Sequence, residues 1–77
     1  MDQTFAEISF TDIYDKYIGK IYRFVFYKVD SRETAQDLTS ETFTRVFEYF
    51  KRNADKKIDN IQAFLFRTAS NLLTDYY

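Results

Sequence analysis

Apolar positions recur along this chain with a period close to 3.6 in three stretches. Across residues 10–29, Ile13, Tyr17, Ile21, Phe24 and Val25 fall on one helical face. Asp12, Asp15, Lys16, Gly19, Lys20 and Arg23 lie mostly opposite. Ser9 with Asp12 three residues on, or Thr11 itself, is the expected start signal. A short leading helical turn over residues 2–8 is a further expectation. The aromatic run 22–26 reads as a strand in isolation, but the longer helical period outweighs it.

A second stripe, Ala35, Leu38, Thr42, Phe43, Val46, Phe47 and Phe50, predicts a helix over residues 31–53. Asp30 or Ser31 would cap it, Glu33 would reach back, and Lys51 and Arg52 would sit favourably in its last turn. A polar loop, residues 53–58, separates it from a third pattern. There Ile61, Leu65, Thr68, Ala69, Leu72 and Tyr76 form one face over residues 60–77, with Asp59 and Gln62 as the expected cap. Arg67, Ser70, Asn71, Thr74 and Tyr77 form the other. Three amphipathic helices with short links predict an all-α bundle in one domain. The third pattern reaches the last residue without a stop signal, so the chain is expected to be a piece of a longer protein.

Composition sharpens this picture. The 77 residues include one Gly and no Pro, so long helices meet few interruptions. The chain has no Cys and no His, which excludes a thiol nucleophile, an imidazole base and zinc or Glu-x-x-His di-iron sites. A single Gly leaves no phosphate-cradling loop. An enzyme is not expected, and neither is a cofactor or a metal. No apolar run approaches the ~20 residues that span a bilayer. The acidic start lacks the blocks of a signal peptide, so a cytoplasmic location is expected. Nine Phe and seven Tyr, 21% of the chain, predict an aromatic core containing Tyr17, Phe24, Phe43, Phe47 and Tyr76.

The net charge of −1 hides segregation. Residues 1–15 carry four acids and no base, whereas Lys51, Arg52, Lys56 and Lys57 cluster against Asp55 alone. Glu33, Asp37 and Glu41 repeat at i, i+4, a spacing that costs a few tenths of a kcal/mol per pair on an isolated helix. They are either a solvated face or an acidic ridge that docks on a basic partner. The basic loop beside Phe64, Phe66, Arg67, Asn71 and Tyr77 offers phosphate contacts and stacking rings together. The other reading makes these rings core and the lysines solubilising.

The run of residues 30–43, Asp-Ser-Arg-Glu-Thr-Ala-Gln-Asp-Leu-Thr-Ser-Glu-Thr-Phe, resembles the second conserved region of bacterial sigma factors, especially the extracytoplasmic-function group. Residues 63–71, Ala-Phe-Leu-Phe-Arg-Thr-Ala-Ser-Asn, with Asp75 beyond, are similar to that family's Ala-Trp-Leu-x-x-Ile-Ala-x-Asn block. Residues 10–29 resemble the helix that precedes these motifs. The likeness covers about residues 8–77.

The resemblance implies an all-α initiation module that binds the clamp helices of the largest catalytic subunit of RNA polymerase. It also implies capture of the melted non-template strand of the minus-ten promoter element. Carried over by position, Asp37, Ser40 and Glu41, with Gln36 and Thr44 beside them, would face the polymerase. Arg52, Asn53, Lys56, Lys57, Asn60, Arg67, Ser70 and Asn71 would face promoter DNA. An anti-sigma factor is a further implied partner. Ser40 stands where the family usually has Gln, and Phe64 replaces the usual Trp. Thr68 replaces an aliphatic residue, and Ser70 stands where a basic one is common. Nothing resembles the family's C-terminal helix-turn-helix domain. The rival readings are a helical protein–protein module without DNA binding, and an oligomerising bundle.

Overall fold

The computed structural model describes the backbone of residues 2–53 and 60–77, and side chains from residue 10 onward. Three helices follow in order: α1 (Asp2–Phe26), α2 (Arg32–Arg52) and α3 (Ile61–Tyr76). The all-α expectation holds.

The first helix is longer at its start than its pattern suggested. Instead of a cap at Ser9 or Thr11, helical backbone runs unbroken from Asp2. The physical reason is local: Gln3, Ala6 and Glu7 favour helix, and no Gly or Pro interrupts them. At the other end α1 stops three residues early. The Lys28 N–H bonds to the Val25 carbonyl at 2.9 Å, a tighter turn that lets the chain swing toward the next helix.

Ser31 resolves the choice of cap for α2. Its backbone is extended (φ −146°, ψ 135°), and its hydroxyl accepts the Thr34 N–H at 3.1 Å. Glu33 is thereby one residue short of the reaching-back position and stays in the first turn, where the helix dipole favours an anion. At the far end, Asn53 closes the helix, its backbone N–H at 2.9 Å and side-chain amide at 3.0 Å both donating to the Tyr49 carbonyl. The cap of α3 is Asn60, whose side-chain oxygen accepts the Ala63 N–H at 3.0 Å. Asp59, the expected cap, lies outside the described residues.

Ring contacts fix how the helices run. Phe10 meets Phe47 and Phe50 at 5.1 and 5.4 Å, and Tyr14 meets Phe43 at 5.1 Å, so α1 and α2 are antiparallel. Tyr49 meets Phe64 at 4.9 Å where α2 ends and α3 begins. Phe24 meets Phe66 edge-on at 5.1 Å, and further along both segments the Tyr77 hydroxyl donates to the Lys28 carbonyl, so α3 runs parallel to α1. Ring pairs of this kind contribute about 0.5–1.5 kcal/mol each beyond their buried area.

Between the helices lie Tyr17, Ile21 and Val25 from α1, Ala35, Phe43 and Val46 from α2, and Leu65, Ala69 and Leu73 from α3, all buried. Phe24 and Phe47 pack against this core half-buried. Tyr76 departs from expectation and is 48% exposed. At the end of α3, Leu72 and Leu73 already fill the inward positions, leaving Tyr76 outside. Two polar residues join the interior, Thr39 and Thr42. Their hydroxyls donate to the carbonyls of Ala35 (2.7 Å) and Leu38 (2.8 Å), so burial leaves neither unsatisfied.

Candidate functional site

Because α2 turns Ala35, Thr39, Thr42, Phe43 and Val46 inward, its outer surface is forced onto the intervening positions. Gln36, Asp37, Ser40, Glu41 and Thr44 are all exposed there, and Asp37, Ser40, Glu41 and Thr44 follow the i, i+3, i+4, i+7 rule of a single stripe. Helix geometry thus brings together every residue of the expected protein-facing set. None of them fills the core, so their identities are not dictated by packing.

A partner to this ridge escaped the sequence reading. Arg45 Nε donates to Glu41 Oε2 at 3.1 Å, with both side chains about half exposed. The Glu-x-x-x-Arg spacing was the available signal. The consequence is that the stripe carries its own counter-charge at one end while Asp37, a turn earlier, has no such neighbour among the described residues. A shallow groove continues from this pair along Glu48, Tyr49, Arg52 and Asn53.

That groove brings two of the expected DNA-facing residues next to the ridge. Arg52 and Asn53 border the end of the acidic ridge, in one surface with Glu41 and Arg45. Arg67, Ser70 and Asn71 form a separate exposed stripe on α3 at i, i+3, i+4. Asn60 and Asn53 are exposed and half-buried respectively, and each already uses part of its amide in a helix cap. Lys56 and Lys57 lie outside the described residues.

The rings suggested as stacking surfaces also divide. Phe64 and Phe66 are half-buried and engaged by Tyr49 and Phe24. Tyr77 is free to be touched: it is 77% exposed and backed edge-on by Tyr76 at 5.1 Å. At the end of α1, Tyr27 is 79% exposed and Phe26 stacks on Tyr22 at 5.7 Å. Among the described residues no helix is long and apolar enough to cross a membrane.

Comparison with known proteins places this geometry. Residues 13–77 match the family model described as sigma-70 region 2. Over 69 residues, 90% of this chain, the sequence is 36% identical to the ECF RNA polymerase sigma factor BldN of Streptomyces coelicolor. Over the same share it is 29% identical to the ECF RNA polymerase sigma factor SigM of Bacillus subtilis. The chain spans 26% and 40% of the lengths of these two relatives. Among solved structures it is similar to the RsbN–BldN complex, with a TM-score of 0.79 and 34% identity, over 96% of this chain and 54% of that one. The helix order, the capped acidic second helix and the Asn-ended third-helix motif therefore have one explanation: this chain belongs to the sigma-70 region 2 family, among the ECF sigma factors.

Proposed function

We propose that this domain acts in transcription initiation, docking on core RNA polymerase through α2 and capturing the unpaired non-template strand of the minus-ten element through α3 and the loop before it. The observation that carries the reading is the continuous exposed stripe Asp37, Ser40, Glu41 and Thr44. Acids at helical spacing with no packing duty are explained by a basic partner surface, here the polymerase clamp helices, for which they supply on-rate and register. Gln36 borders the stripe and adds a neutral hydrogen-bonding group.

Strand opening costs unpairing and unstacking energy. A protein offsets that cost only by binding the single strand better than the duplex. Arg67, Ser70 and Asn71 offer a cation and two hydrogen-bonding groups on one face of α3. In the sequence, Arg52, Asn53, Lys56, Lys57 and Asn60 fall within or next to the connection from α2 to α3. The lysines would hold backbone phosphates, making binding steeply salt-dependent. This work needs no catalytic residue, and it belongs in the cytoplasm, where polymerase and DNA are.

The deciding experiment is pull-down of core polymerase by Asp37→Arg/Glu41→Arg, with helicity checked by circular dichroism. Loss of capture with helicity intact is the expected result. Retained capture would remove the basis of the reading.

A second reading, a helical protein–protein module without DNA binding, is favoured by one observation: the similar BldN fold was solved in complex with RsbN. It also makes an anti-sigma factor a reasonable partner under either reading. Binding of single-stranded minus-ten oligonucleotide in the presence of core polymerase, with and without Lys56→Ala/Lys57→Ala, separates the two. Absence of any binding at low salt favours the protein-only role.

A further inference from the structure

Where α1 ends beside α3, a groove is lined by Lys28, Ser70, Leu73, Thr74 and Tyr77. We propose that this groove seats one nucleotide of the unpaired strand, with its phosphate at Lys28 and its base on the Tyr77 ring. The proposal rests on the promoter reading above and extends the strand's path from α3 to α1.

Four features of the groove point to that occupant. First, Lys28 makes no ion pair among the described residues, and its ammonium is held 4.4 Å from the centroid of the Phe24 ring. A cation positioned by its stem over a ring remains available to an anion. Second, the Tyr77 hydroxyl donates to the Lys28 carbonyl, tying the end of α3 to the turn after α1. With Tyr76 edge-on behind it, the ring is oriented before any ligand arrives while most of its surface stays exposed. Third, Ser70 is shared with the exposed α3 stripe, so the groove continues that surface. Fourth, Leu73 supplies an apolar floor, and Ser70 and Thr74 supply hydroxyls at the rim; Thr74 Oγ1 is 3.1 Å from the Ser70 carbonyl. A positive charge beside an open ring and an apolar floor is the combination by which proteins hold single-stranded nucleic acid. An acidic peptide would use the cation and leave the ring idle.

The test measures fluorescence anisotropy of a labelled single-stranded deoxyoligonucleotide of mixed sequence, and of its duplex, with this chain bound to core polymerase. Tyr77→Ala should weaken single-strand binding about five- to 150-fold, the range seen when one stacking ring is removed. Tyr77→Phe, which keeps the ring and loses the hydroxyl tether, should retain most of the affinity. Lys28→Ala should lower the slope of log affinity against log salt by about 0.7, the contribution of one single-strand phosphate contact, and Lys28→Arg should restore it.

If Arg67→Ala/Asn71→Ala weakens binding while the Lys28 and Tyr77 variants behave as wild type, the groove assignment is overturned and the promoter reading stands. If wild type binds no single strand, both fall. Equal loss with Phe and Ala at Tyr77 would show that the hydroxyl tether, and not the ring, carries the effect, and would overturn the stacking role. Equal weakening of duplex and single-strand binding would do the same.

Discussion

The guanidinium of Arg45 holds the Glu41 carboxylate at 3.1 Å, one helical turn away along the outer face of α2. An exposed pair of this kind contributes only about 0.3–0.5 kcal/mol to a helix. Its larger effect is on what Glu41 presents to a partner. A basic surface approaching α2 meets a carboxylate that already has a cation beside it. Replacing Arg45 with Ala should leave the unfolding midpoint nearly unchanged and raise the association rate with core polymerase several-fold at low salt, the advantage shrinking as salt is added. Stopped-flow association at two ionic strengths checks this, and an unchanged low-salt rate would count against electrostatic docking by Glu41.

Gly19 sits in the middle of α1, and a Cβ added there would meet nothing within 4 Å. Glycine in a helix interior costs about 0.5–1 kcal/mol relative to alanine. Gly19→Ala should therefore stabilise the domain by that amount, raising its melting temperature by roughly 2–8 °C for a domain of this size. A thermal melt showing a lower midpoint would mean that this face of α1 is covered by something the helix packs against.

Two caps hold the starts of α2 and α3. Ser31→Ala and Asn60→Ala should each cost about 0.5–2 kcal/mol in urea unfolding, and Ser31→Gly only a few tenths. The Asn60 substitution carries a second expectation, since that residue stands beside the proposed strand path. Its effect on oligonucleotide binding should persist under conditions where the variant is fully folded. Binding that recovers completely once the variant is folded would confine Asn60 to capping.

Buried Thr42 gives a contrasting case. Its hydroxyl bonds only within its own helix, to the Leu38 carbonyl at 2.8 Å. Thr42→Val removes the donor without orphaning a buried group, so stability should change by less than about 1 kcal/mol. Ile21→Ala, at a fully buried position, should cost about 2–5 kcal/mol and leave little folded protein. Equal losses for the two would show that the Thr42 hydroxyl has a role its hydrogen bond does not explain.

Helix number and faces were legible because the 3.6 period is a direct record of burial: Tyr17, Ile21, Val25, Phe43, Val46, Leu65 and Ala69 all lie where the period puts them. The start of α1 was not, because capping residues such as Ser9 and Thr11 cost only a few tenths of a kcal/mol inside a helix, too little to end one when nothing else breaks it. Thr39 was missed as core since its polarity concealed a local hydrogen bond. Tyr76 was misjudged because periodicity tells which face a residue occupies, whereas burial also requires another helix to be alongside. The acidic stripe was visible in sequence, but its Arg45 counter-charge was not recognised. The groove at Lys28 was beyond sequence reading altogether, since it depends on the turn after α1 and the end of α3, 49 residues apart, meeting through the Tyr77 hydroxyl.

The Glu41–Arg45 pair lies within one helix, and the helices are held to each other by apolar side chains, aromatic rings and the Tyr77 tether. Selection on this surface is thereby uncoupled from selection on the fold. Acidic and basic residues on α2 and α3 are open to exchange, one at a time, with little penalty in folding. Such a domain can change what its outer face recognises by point substitutions that leave its bundle untouched.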